Sequence, residues 1–153
     1  MSVNEKNLIL GRGEGKIIPV PGHKITIKLS GEDTNGSFSL LEVELNGDGP
    51  PQHIHKTEDE AFYVLEGEIN VLLGERTFKA KAGTFVRIPR GTVHTFSRIE
   101  KKFAKVLAIF TPAGFEKFFD EAVDLDVTDT EAYVAKALAK KYNMEIVGPP
   151  LDA

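Results

Sequence analysis

HIHKTEDE, residues 53–60, sets two histidines and three acidic residues into eight positions. Its reading decides the fold. As a loop, the stretch is a solvated run of charge. As an extended strand, it points His53 and His55 to the same side and Ile54 to the other, because side chains two apart in a strand share a face. Packing alone explains two imidazoles on one inward face poorly, since protonating either would repel the other and bury a charge. A metal ion resolves the conflict by taking both as neutral ligands. The loop Gly47, Asp48, Gly49, Pro50, Pro51 delivers this strand. Of the three acids, Glu58 and Asp59 read as solvated turn residues. Glu60 heads the inward row of Phe62 and Val64, where a carboxylate needs a partner.

Outward from this stretch the chain reads as strands. ITIKL (25–29) alternates Ile25, Ile27 and Leu29 against Thr26 and Lys28, and SFSLLEVEL (37–45) sets Leu41, Val43 and Leu45 against Glu42 and Glu44. AFYVL (61–65) and INVLL (69–73) flank Gly67, read as the turn of a tight hairpin, and Gly74 leads into RTFKA (76–80). TFVRI, VHTFS and AKVLAIF complete roughly eight to ten strands, the all-β signature of a sandwich or small barrel. After Phe110 the period changes. Thr111 is placed to cap a helix with Pro112 at its first position, and Phe115, Phe118, Phe119 and Ala122 recur at helical spacing. Thr128 and Glu131 have capping-box spacing before a second helical stripe of Val134, Leu138 and Tyr142, and GPPL (148–151) forbids further helix. Covering an open end or face of the β structure is the expected role of the aromatic helix face. The expectation is one domain over 1–153, with a β core at about 17–111 and a helical extension at about 112–153.

Composition narrows the chemistry. The chain has 153 residues, 19 basic and 23 acidic, a net charge of −4, and no cysteine. Any metal must therefore be held by nitrogen and oxygen. The charge gives no reason to expect nucleic acid, and the densest basic group, Lys101, Lys102 and Lys105, reads as a solvated strand edge. No run approaches the length of a membrane helix, and MSVNEKNLIL does not read as a secretory signal, so no membrane partner and a cytoplasmic address are expected. The four histidines are His23, His53, His55 and His94. In VRIPRGTVHTF (86–96), Pro89, Arg90 and Gly91 make a turn and His94 opens a strand in phase with Phe96; a lone histidine there is usually a core or rim residue. His23, in PVPGHK, reads as a turn residue.

Two spacings change the weight of these residues. Gly47, five residues, His53-x-His55, four residues, Glu60, six residues and Gly67 form one; Gly83, five residues, Pro89-x-Gly91, two residues and His94 form the other, fifteen residues downstream. This pattern resembles the two motifs of the cupins. Arg98 departs from it, standing where the family often has asparagine. The resemblance implies a double-stranded β-helix, a jelly-roll-like barrel, with His53, His55, Glu60 and His94 converging on one metal. Three imidazoles and a carboxylate suit a divalent first-row ion (Fe, Mn, Ni, Co, Cu or Zn) and do not suit Ca or Mg. EDEAFYVLEGE, TPAGFEKFF and GPPL are similar to segments of small bacterial quercetinase-like proteins. That similarity implies a dioxygenase acting on a flavonol or similar hydroxy-ketone, with dioxygen as co-substrate and Glu60 as the catalytic acceptor of the substrate's hydroxyl proton. A non-redox isomerase or lyase, or a non-catalytic small-ligand binder, is the alternative. Phe38, Phe62, Val71, Val86 and Phe96 are candidates to line the substrate pocket, although core packing is the commoner role for such residues. Cupins commonly pair through their sheets, so a homodimer is expected, with ITIKL as the edge-like strand.

Overall fold

The structure, a computed structural model, describes residues 7–123 and 131–151, and among these it contains eleven strands and two helices. The strands are β1 (Lys16–Val20), β2 (His23–Leu29), β3 (Ser39–Leu45), β4 (Gln52–His55), β5 (Asp59–Glu66), β6 (Glu68–Leu73), β7 (Arg76–Lys81), β8 (Phe85–Ile88), β9 (His94–Arg98), β10 (Ala104–Thr111) and β11 (Met144–Gly148). The helices α1 (Lys117–Ala122) and α2 (Glu131–Lys141) precede β11. A six-stranded sheet, β1-β2-β3-β10-β5-β8, faces a five-stranded one, β11-β4-β9-β6-β7, and every pairing is antiparallel. This is the expected jelly roll.

Alternation builds the core. Ser39, Leu41, Val43 and Leu45 are buried along β3 and Ala104, Val106, Ala108 and Phe110 along β10, while the intervening residues are only half-buried. Ile69, Val71 and Phe96 face them from the opposite sheet. Each fully buried Val, Leu, Ile or Phe contributes roughly 1.5–3 kcal/mol, so these rows supply the main stabilisation of the fold.

Several local expectations are corrected. Gly67 is not a hairpin turn: β5 and β6 lie in different sheets, and the chain crosses between them there. Its φ of 77° suits glycine, and a Cβ would come within 2.4 Å of the Phe103 carbonyl oxygen. The two-residue hairpin is the next one, where Gly74 and Glu75 join Leu73 to Arg76. ITIKL lies in β2, which is paired on both sides by β1 and β3 and is not an edge. Lys105 lies on the central strand β10 with its amine 3.7 and 3.6 Å from the carboxylates of Glu42 and Glu44, so it is no strand-edge lysine. Thr111 ends β10 and caps nothing; α1 starts at Lys117 with no side-chain cap. Thr128 lies outside the described residues. The strand β11 was not anticipated, because Met144, Ile146 and Gly148 face inward with too few large apolar groups to mark a strand. Among the described residues no helix is long and apolar enough to cross a membrane.

Candidate metal centre

His53 and His55 lie on β4, Glu60 near the start of β5 and His94 at the start of β9. Antiparallel pairing sets His53 directly opposite His94. One donor atom from each of the four residues lies within 4.8 Å of the others, and all four residues are buried. The imidazole centroids are 5.0 Å apart for His53 and His55, 4.3 Å for His53 and His94, and 5.3 Å for His55 and His94. Glu60 Oε2 lies 2.8 Å from His94 Nε2 and 3.3 Å from His55 Nε2. The structure thus brings all four residues singled out in the sequence to one point.

The tautomers are set from behind. His53 Nδ1–H donates to the carbonyl of Pro51 at 2.8 Å and His94 Nδ1–H to that of Thr92 at 2.9 Å. Their Nε2 atoms are left to face the cluster, the arrangement that orients metal-binding histidines. The turn delivering His53 is tied down by Thr95, whose hydroxyl donates to the Pro50 carbonyl, and Gly49 packs so closely on Phe96 that a Cβ would lie 1.8 Å from its carbonyl oxygen. Arg98, the departure from the motif, donates from Nε to the Gly47 carbonyl at 2.9 Å and from Nη1 to that of Lys101 at 3.1 Å. It therefore closes the same turn by other atoms.

The charges balance around Glu60. Burial alone would raise its pKa, but the facing His94 and His55 hold the carboxyl well below its usual range. Burial would lower His94, yet the Glu60 carboxylate outweighs it and raises His94 above its ordinary value. At His53 the same carboxylate is outweighed: burial, then the neighbouring imidazoles, push it down to about 3. With Nδ1–H committed to Thr92, the bond from His94 Nε2 to Glu60 requires a second proton. A divalent ion would replace that proton and meet three neutral nitrogens and one anionic oxygen, a donor set that fits a first-row metal. Since His94 is raised, its proton competes with metal up to a higher pH than an ordinary histidine's would. Titration with zinc near pH 7 should release protons, and affinity should fall as the pH drops from 8 to 6; calorimetry in buffers of different ionisation enthalpy would read this, and a pH-independent affinity would contradict it.

Two acids depart from the sequence expectation. Glu58 is 6% exposed and is not solvated, and its Oε2 is buried without a hydrogen-bond partner. Asp59 is half-buried in β5 and accepts from the backbone N–H and the Nε of Arg90 at 2.9 and 3.1 Å.

The cluster opens on a cavity of about 590 Å³, within the usual range for a small-molecule site. Phe62 and Phe96 line it; Phe38, Val71 and Val86 do not, Val71 and Val86 being buried in the core and Phe38 half-buried. The aromatic stretch after β10 covers the site: Phe115 is buried edge-on against His55 at 4.4 Å, and Phe118 and Phe119 pack behind it at 5.2 and 5.6 Å. Phe110, in phase with Val106 and Ala108, reaches His55 at 5.3 Å. Strand parity would have identified Phe110. His23 was also missed as a cavity residue: it opens β2 instead of standing in a turn.

Comparison with known proteins points the same way. The Cupin domain family matches residues 39–110. Quercetin 2,3-dioxygenase of Bacillus subtilis (strain 168) is 29% identical over 112 residues, which are 72% of this chain and 33% of that protein. A probable germin-like protein, subfamily 2 member 5, of Arabidopsis thaliana is 35% identical over 92 residues, 54% of this chain and 41% of that one. The chain thus spans about a third to two fifths of the length of these curated relatives. Among solved structures, KdgF from Halomonas sp. superposes with a TM-score of 0.64 at 19% identity, covering 73% of this chain and 99% of that one. The polyketide cyclase RemF from Streptomyces resistomycificus gives 0.60 at 24% identity, covering 69% and 80%. At these identities the two structures share the fold.

Proposed function

We propose that this chain, a member of the cupin superfamily, is a metal-dependent enzyme for a small, flat, largely apolar substrate with adjacent oxygen donors, and that its reaction is the quercetinase-like dioxygenation of a flavonol or similar hydroxy-ketone. The observation that carries this reading is the cluster of His53, His55, Glu60 and His94, of which His53, His55 and Glu60 stand in the wall of a cavity otherwise lined almost wholly by hydrocarbon. Such a lining favours an aromatic skeleton over a sugar phosphate, whose charges would be stranded there. The divalent ion would supply Lewis acidity and coordination positions for the substrate's oxygens and for dioxygen.

The chain's own residues do the rest. Glu60 is the one carboxylate in the cluster, and with Oε2 already shared between two imidazoles it can accept the substrate's hydroxyl proton and hold it without leaving a bare buried charge. Phe115 against His55 excludes water from the reacting face. Phe62 and Phe96, 6.1 Å apart and steeply tilted, are walls against which a planar ring can orient.

Metal analysis of protein purified without a chelating tag, followed by oxygen-electrode assays with flavonols, tests the reading. Stoichiometric first-row metal and flavonol-dependent oxygen uptake are expected. A protein holding zinc alone and consuming no oxygen with any flavonol or dihydroxy-ketone would refute the dioxygenase; anaerobic turnover would identify an isomerase or lyase, and tight retention of a ligand without turnover a binding protein.

A further inference from the structure

In the metal cluster, His53 and His94 are oriented from behind by backbone carbonyls, and His55 is not. Among the described residues, the buried Nδ1 of His55 has no hydrogen-bond partner. Packing takes the place of that bond. The His55 ring meets Phe110 at 5.3 Å and 76° and Phe115 at 4.4 Å and 77°. Phe110 belongs to β10 and is held by the sheet. Phe115 lies in the turn between β10 and α1, so whatever fixes that turn also fixes its ring against His55.

The turn is tied down by the next residue. Glu116 is 2% exposed, and its carboxylate accepts from two backbone N–H groups: Gly114 of the same turn, at 2.7 Å through Oε2, and Gly31 of the β2–β3 loop, at 2.8 Å through Oε1. A buried carboxylate depends on such charge-assisted bonds, which are roughly twice as strong as neutral ones. The loop it grips is itself closed. The Gly31 carbonyl accepts from the Gly36 N–H at 2.8 Å, and the Gly36 carbonyl accepts from the Ala113 N–H at 3.0 Å. There is no slack at the contact, since a Cβ on Gly31 would stand 3.1 Å from the Ala113 Cβ and 3.2 Å from Glu116 Oε1. The remaining side-chain tie, Lys117 to Glu32 at 3.5 Å, is exposed and contributes little.

We infer that Glu116 is a positioning residue of the metal centre: by tying the turn to Gly31 it holds Phe115 against His55, and so orients the one cluster histidine that no backbone carbonyl orients. The inference takes His55 as a metal ligand and does not depend on which reaction the centre performs.

The test uses the full chain, zinc-loaded and with its histidine ring nitrogens isotopically labelled, as wild type, Glu116→Gln, Phe115→Leu and the double variant. Glu116→Gln keeps the size of the side chain but sets an amide NH2 against one of the two backbone donors. Zinc binding should weaken by about 10-fold, the lower end of the loss typical when the support behind a metal ligand is removed. The His55 ring-nitrogen resonances should shift or broaden, while those of His53 and His94, still held by Pro51 and Thr92, stay in place. Phe115→Leu should reproduce the change at His55, and the double variant should add little to either single one, as two links of one chain do. A merely structural role would lower the unfolding midpoint without singling out one histidine. Should Glu116→Gln not fold, Gly31→Ala decides from the far side of the contact: its methyl crowds Glu116 Oε1 and should disturb His55 in the same selective way. His55 resonances that stay in place, or that move only together with those of His53 and His94, overturn the inference, as do losses of zinc affinity that simply add in the double variant. Wild-type His55 resonances that do not respond to zinc overturn it together with the ligand assignment.

Discussion

Replacing His94 with alanine is expected to yield a folded β protein that no longer retains its metal. His94 is 1% exposed and carries the 2.8 Å contact to Glu60. Losing an outer-shell partner of a metal ligand typically costs 10- to 100-fold in affinity, so removing a ligand itself should cost at least about 100-fold. The cost to the fold is smaller. Leaving Glu60 short of a partner destabilises by about 1–3 kcal/mol, against a core in which Leu41, Val43, Leu45, Ile69 and Val71 are all buried. His53→Ala should behave alike, since His53 faces His94 across the same strand pair. Far-UV circular dichroism and elemental analysis of the purified variants read both quantities, and unchanged metal content in either variant would overturn the ligand assignment.

The second large effect is expected from Glu60→Gln. The substitution keeps the shape and removes the charge, so three imidazoles remain while the group that would hold the substrate's proton does not. Loss of a positioned general base typically costs about 10²- to 10⁴-fold in rate, and kcat should fall by that order even when metal is supplied in excess. The variant separates two roles for the same side chain. Full turnover at saturating metal would show Glu60 to be a ligand only, whereas loss of kcat with KM little changed is the signature of a proton acceptor acting in the transition state.

Only part of the metal cluster is local in the sequence; that His94 joins it was implied by the resemblance to the two cupin motifs. Two-residue parity in HIH puts His53 and His55 on one face, and Glu60 is singled out by heading an apolar row. The alternation of β3 and β10 was legible for the same reason. Features that depend on the meeting of distant segments were not. Gly67 looks like a hairpin glycine until β5 and β6 are seen in different sheets; what it accommodates is the backbone at Phe103 and Ala104. Glu58 looks solvated because its neighbours Lys56 and Thr57 are exposed. Its burial is set by tertiary packing, which no local pattern encodes. Thr111 and Pro112 fit a helix start in composition, yet pairing of Thr111 with Asp59 keeps that residue in β10. His23 drew a turn assignment from Pro21 and Gly22, when the turn ends one residue earlier.

The pairing of β11 with β4 has a consequence for the integrity of the molecule. Against β9, β4 has a single registered pair, His53 with His94, whereas β11 meets it at Met144 with His55, Glu145 with Ile54, Ile146 with His53 and Gly148 with Gln52. Without β11, the histidine-bearing strand would become the rim of its sheet, its amide and carbonyl groups open to water or to a strand of another molecule. Residues 144–148, remote in sequence from every ligand, therefore act as a selvedge: they keep the edge bearing His53 and His55 from fraying and from templating aggregation.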